Sequence, residues 1–116
     1  MVSEATVKVH VDGERILSTA EGNGPVNALD NALRQALVGR WPQLADVSLA
    51  DYKVRILGWN GGTSATTRVL IETTDRVGEW TTVGVHDNIV EASWHALVDA
   101  MTYAVRHRPG TVSRTG

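Results

Sequence analysis

Two stretches of this chain, PVNALDNAL at 25–33 and IVEASWHAL at 89–97, align without a gap. Val26 meets Val90, Ala28 meets Ala92, Ala32 meets Ala96 and Leu33 meets Leu97. Each stretch follows a strand-like segment and a short loop rich in Gly, Asn or Asp. A duplicated unit limits the fold more than composition does. One sheet-and-helix unit cannot bury its own apolar face well, whereas two packed together can. The recurring alanines allow close approach, so one helix face is expected to pack tightly on a sheet or on another helix.

The rest of the chain supplies strands for both copies. Residues 5–11 alternate, with Val7, Val9 and Val11 on one face and Lys8 and His10 on the other. Asp12-Gly13 is a hairpin turn signal, and residues 14–21 read as the returning strand. Val26, Leu29, Leu33 and Leu37 then fall at helical spacing behind Pro25, a residue suited to a first helical turn. Gly39 is the expected stop, and residues 39–50 read as a connecting loop. A strand is expected over 51–57, where Tyr52, Val54 and Ile56 oppose Lys53 and Arg55. Residues 58–62 read as a turn, 63–74 and 79–85 as strands. A second helix is expected from Ile89 past Ala104, capped by Asp87 or Asn88. The fold class is therefore α+β: two repeated strand-strand(-strand)-helix units, with antiparallel sheets packed on helices. Repeat one spans about 5–38 and repeat two about 51–105, in a single domain over 1–105, with 106–116 as a flexible tail.

Composition removes several function classes. A chain of 116 residues is long enough for a core without staples. The net charge of -2 argues against nucleic acid and against a membrane surface. There is no cysteine, so disulfides, thiolate zinc sites and cysteine nucleophiles are excluded. The N-terminal MVSEATVKVH lacks the apolar run of a signal peptide, and no segment reaches membrane-spanning length. A cytoplasmic protein is expected. His10, His86, His95 and His107 include no i, i+4 pair, so no metal and no cofactor are expected. His86 beside Asp87 invites acid–base chemistry, but no nucleophile is tied to it by spacing. Ser93 reads as a small packing residue, no catalytic residue is assigned, and the chain is not expected to be an enzyme. Trp41 and Trp59 are placed in loops, and Trp80 and Trp94 in packing or interface positions.

Two loops could hold a ligand. Gly22-Asn23-Gly24-Pro25 precedes the first helix and His86-Asp87-Asn88 the second. A helix start offers unused backbone donors and partial positive charge, which suits a carboxylate. Asn23 and Asn88 could add hydrogen bonds, and Asp87 could attract an ammonium group. The same Gly-Asn-Gly composition also describes a plain tight turn and cap.

GNGPVNALDNAL, DYKVRIL and WTTVGVHDNIVEASWHALVDAM, in that order, resemble the C-terminal regulatory domain of 2-isopropylmalate synthase and citramalate synthase. The resemblance covers about residues 5–105. Glu79-Trp80, Val83-Gly84-Val85 and the stretch from Asn88 to Ser93 look closer to the citramalate type. It implies a homodimer that binds leucine or isoleucine, or a similar small amino or carboxylic acid, as feedback effector at the dimer interface. By the family's pattern the effector contacts map onto Gly22, Asn23, Gly24, Pro25 and Val26, onto Tyr52, Val54 and Ile56, and onto Asn88 and Ile89. His86 and Asp87 join that set from the second loop, although His86 stands where the family usually has a small residue such as serine. A catalytic barrel needs about 250 residues, so these 116 cannot contain one; a synthase barrel would act in cis or in trans. Two alternatives stay open. One is a free-standing homologue turned to binding or transforming a small carboxylic acid. The other is a pure dimerisation scaffold.

Overall fold

A computed structural model describes residues 2–60 and 64–107. Its elements run β1 (Ser3–Val11), β2 (Glu14–Gly22), α1 (Pro25–Leu37), a 3₁₀ turn (Pro42–Asp46), β3 (Ser48–Asn60), β4 (Ser64–Thr74), β5 (Glu79–His86) and α2 (Ile89–His107). The fold is α+β, with a two-stranded antiparallel sheet, β1-β2, and a three-stranded antiparallel sheet, β3-β4-β5. The chain divides into two compact units, one built on residues up to Ala45 and the other on 46–103.

In the first unit, Asp12 and Gly13 both take positive φ, 51° and 82°. This is the backbone that the twist of a two-residue hairpin requires. Arg40 reaches back from beyond α1 to that hairpin, meeting Asp12 at 2.7 Å and Glu14 at 3.1 Å. The helix is fastened to β2 by polar side chains. Gln35 donates to the Ser18 hydroxyl at 3.1 Å and to the Thr19 carbonyl at 3.2 Å. Asn31 donates to the Glu21 carbonyl at 2.9 Å.

In the second unit, α2 lies on β5. The Trp80 indole N–H donates to the Ala100 carbonyl at 3.1 Å, and the Thr82 hydroxyl to the Ala96 carbonyl at 2.7 Å. Trp80 is buried and tilts against Tyr103 with ring centroids 5.2 Å apart. Ala92, Ala96 and Ala100 are fully buried. Their small side chains let the helix backbone itself come into reach of the strand's side chains.

The duplication runs through every shared element. A constant shift of 64 residues carries Pro25 to Ile89. The same shift carries the pair Val7–Ser18 to Ile71–Thr82 and the pair Ser3–Gly22 to Thr67–His86. Strand register, loop length and helix start therefore repeat together. The buried alanines repeat too, Ala28, Ala32 and Ala36 becoming Ala92, Ala96 and Ala100.

Three expectations need correction. Residues 39–50 are not a plain loop, because Pro42–Asp46 form a 3₁₀ turn that buries Leu44, and β3 already starts at Ser48. The residues expected to turn at 58–60 continue β3, so Trp59 lies in a strand and not in a loop; the rest of that expected turn, 61 and 62, lies outside the described residues. Arg106 and His107 close α2 and do not begin a tail; the expected tail beyond them, 108–116, lies outside the described residues. Trp41 lies in the loop after α1, as expected, half-buried and with its backbone N–H donating to the Leu37 carbonyl.

One buried charge gives a pH prediction. Asp30, within α1, is only 2% exposed and pairs with Arg34 at 3.1 Å. Burial raises its pKa above 3.8, and the charge and hydrogen bond of Arg34 offset this only in part. A raised carboxyl pKa means the folded state favours the proton. Its stabilising effect is full below the unfolded value and is lost as pH rises through the folded value. Asp30→Asn keeps an acceptor for Arg34 and has nothing to titrate. Its stability relative to the parent should therefore rise across that window and level off above it. Urea denaturation of both proteins between pH 3 and pH 7 measures this, and parallel curves would refute it.

Candidate functional site

The two helix starts are built at equivalent positions but are finished differently. At α2, Asn88 is the cap, its side-chain oxygen accepting the N–H groups of Val90 at 2.8 Å and Glu91 at 3.1 Å. Of the two expected caps, Asn88 does this work and Asp87 is left exposed. The donors that would seat a carboxylate at α2 are thus already used by the protein, and Asn88 cannot offer that oxygen to a ligand.

At α1 the cap position is Gly24, with φ 102° and no side-chain hydrogen bond. Pro25 has no N–H to give. The first-turn N–H groups of Val26 and Asn27 have no intrahelical acceptor by the geometry of a helix start. Asn23 donates its own N–H to the Asn27 side chain at 3.2 Å, which folds the turn inward. Gly22 is required by contact: a Cβ there would stand 2.6 Å from the Ala28 nitrogen and 2.8 Å from the Asn27 carbonyl carbon. Among the two loops, the one at Gly22–Val26 is the better seat for an anion.

The other expected residues gather in the second unit. Tyr52, Val54 and Ile56 pair with Ile71, Val69 and Thr67 of β4, which in turn pair with Thr82, Gly84 and His86 of β5. Paired residues share a face, so all nine lie on the face that carries α2. The helix covers the β5 side. Tyr52, Val54 and Ile56 are left 40–54% exposed, an apolar strip along β3. Ile89 and Val90 at the start of α2 are also exposed. His86 ends the row that runs Ile56–Thr67–His86.

His86 has a defined hydrogen-bond role. Its Nδ1 accepts the Asn88 N–H at 3.0 Å, which leaves Nε2 as the protonated nitrogen of the neutral ring. His95 stacks edge-on at 6.0 Å between centroids and stands 4.0 Å from Glu91. The Ser93 hydroxyl donates to the Ile89 carbonyl at 2.8 Å and is buried, as a packing residue would be. Among the described residues no group of three or more His, Asp and Glu could hold a metal ion. Among the same residues no helix is long and apolar enough to cross a membrane.

Two features were not foreseen from sequence. His95 meets His86 across the β5–α2 corner, nine positions along the chain, a spacing that no motif marks. Gly84 lies under α2, where a Cβ would run into the Ala92 carbonyl and come within 3.1 Å of the Ala96 nitrogen.

A sequence model of the LeuA allosteric (dimerisation) domain matches residues 1–105. The chain is 61% identical over 103 residues to a protein named (R)-citramalate synthase from Streptomyces coelicolor, covering 89% of this chain and 19% of that one. It is 59% identical over 102 residues to (R)-citramalate synthase from Synechocystis, covering 88% and 19%. Against 2-isopropylmalate synthase from Shewanella sediminis the identity is 35% over 102 residues, covering 88% and 18%. The chain spans about a fifth of the length of these curated relatives.

Proposed function

Because the chain belongs to the LeuA allosteric (dimerisation) domain family, we propose that it is the regulatory and dimerisation module of a citramalate or isopropylmalate synthase-type enzyme. It acts as a homodimer and binds leucine or isoleucine as a feedback effector. It does no chemistry of its own. The family match through 1–105, which takes in both helix starts and β3, carries this reading.

The local chemistry supports it. The uncapped start of α1 suits a carboxylate. In the second unit, taken by itself, exposed Asp87 suits an ammonium group and the strip of Tyr52, Val54 and Ile56 suits an apolar side chain. An effector shifts a regulatory equilibrium only by binding one arrangement of the protomers better than another. The attached synthase part reads that arrangement.

Titration calorimetry and thermal melts with leucine and with isoleucine test the proposal. One of the two should release or absorb heat and raise the melting temperature, since a ligand at 100 times its Kd adds about 2.7 kcal/mol to stability. Gly24→Val should remove the response while sedimentation still shows a dimer. If neither amino acid gives heat or a thermal shift at millimolar concentration, the effector assignment fails.

A further inference from the structure

The face of β3-β4-β5 turned away from α2 carries an unbalanced charge. Tyr52, Val54 and Ile56 lie on the α2 side, so Lys53 and Arg55 lie on the other, together with their partners on β4 and β5. Lys53 pairs with Leu70 and Leu70 with Val83; Arg55 pairs with Arg68 and Arg68 with Val85. Lys53, Arg55 and Arg68 are exposed, and with half-buried Leu70 they line one cleft of about 270 Å³.

Arg55 opposite Arg68 is a like-charge cross-strand pair, which costs stability when nothing neutralises it. Among the described residues nothing in the chain does so: none of the three cations makes an ion pair or a side-chain hydrogen bond. The acids of the same face, Asp51 and Glu72, stand opposite each other one rung beyond Lys53 and two beyond Arg55. The fold itself does not require cations here. The 64-residue shift puts Glu4 at the position of Arg68, and Glu4 pairs with Glu21 in an equally regular ladder.

We propose that this cleft binds the phosphate groups of a small phosphorylated ligand, with Arg55 and Arg68 as two guanidinium forks and Lys53 as the third cation. Charge sets the class. A single carboxylate leaves most of the charge of three cations unmet, whereas a phosphate carries about two negative charges and a diphosphate more. Guanidinium groups also meet phosphate oxygens in matched pairs. Volume sets the size, because a cleft at the small end of ligand sites holds a diphosphate group and little more. An organic part attached to it would lie on Val83 and Val85 beside the cations, which are 38% and 49% exposed. The cleft is on the opposite face of the sheet from Tyr52, Val54 and Ile56, so it is separate from the amino-acid reading and does not rest on it.

Amide NMR titrations of the 116-residue chain with inorganic pyrophosphate, and separately with adenosine triphosphate, test this in the absence of divalent metal. Either probe should shift the amides around Lys53, Arg55, Arg68 and Leu70 saturably. Arg55→Gln and Arg68→Gln should each weaken binding about tenfold, the loss of one charge-assisted hydrogen-bonding group. Arg15→Gln, which removes an exposed cation from β2, should leave binding unchanged. Without ligand, Arg68→Gln should unfold at no lower urea concentration than the parent, because it removes a like-charge pair. Equal affinity for the two probes assigns the site to the phosphates alone. Tighter binding of adenosine triphosphate, with added shifts at Val83 and Val85, assigns it to a nucleotide. Shifts that do not saturate, that spread equally to Arg15 and Arg40, or that survive both arginine substitutions would overturn the proposal. So would sedimentation in which Arg55→Gln dissociates the chain while neither probe binds, which would give the cations to a second copy.

Discussion

Gly84→Val should destabilise the protein by about 3 kcal/mol, the upper end of what overpacking costs. The site explains the size. A Cβ at Gly84 would overlap the Ala92 carbonyl and sit 2.9 Å from its carbon and 3.1 Å from the Ala96 nitrogen. These are backbone atoms of α2 and cannot rotate away. Relief requires lifting the helix, and lifting it would lengthen the bonds from Thr82 to the Ala96 carbonyl and from Trp80 to the Ala100 carbonyl. Gly39→Ala is the control, because nothing lies within 4 Å of a Cβ there and it should change stability by less than about 0.5 kcal/mol. Urea denaturation of the three proteins measures the difference. A Gly84→Val protein as stable as Gly39→Ala would mean that α2 does not lie this close to β5.

The duplicated units share this logic at different rungs. The shift of 64 places Ala20 opposite Gly84 and Gly22 opposite His86. In the first unit a close approach to the helix falls at Gly22, one rung further along the strand, where a Cβ would stand 2.6 Å from the Ala28 nitrogen. In the second unit the close approach falls at Gly84, and His86 one rung further along is exposed.

Much of this was legible in sequence, and the failures have physical causes. The alternation of Val7, Val9 and Val11 and the Asp12-Gly13 turn defined the first hairpin, because a half-buried two-stranded ribbon writes its period directly into the residues. β3 extends past the expected strand at both ends. Register shifts between Leu49 and Asp51 and between Ile56 and Gly58 break the period of two. A glycine inside a strand marks such a bulge as readily as a turn. The candidate loops were found because glycine, asparagine and aspartate before a helix are local signals. Which of them is free was not visible. Asn88 and Gly24 look equally suited to a ligand until the capping bonds of Asn88 are seen. The close contact at Gly84 depends on where a helix lands, which no local pattern encodes.

The aligned leucines offer the second large effect. Leu33 and Leu97 occupy the same position in the two copies and are 2% and 1% exposed. Leu33→Ala and Leu97→Ala should each cost about 3 kcal/mol, the middle of the range for a buried leucine whose cavity stays partly open. The aligned valines should separate. Val26 is 6% exposed and Val90 is 48% exposed. Val26→Ala should cost about 1.5 kcal/mol, and Val90→Ala less than about 0.5 kcal/mol in the single chain. Thermal denaturation across a range of protein concentrations makes this comparison informative about assembly. In a dilute, monomeric sample the valines must differ as their exposure does. If Val90→Ala grows as costly as Val26→Ala at high concentration, then the start of α2 is covered by a second protomer. If its cost stays small at every concentration, dimerisation buries some other surface.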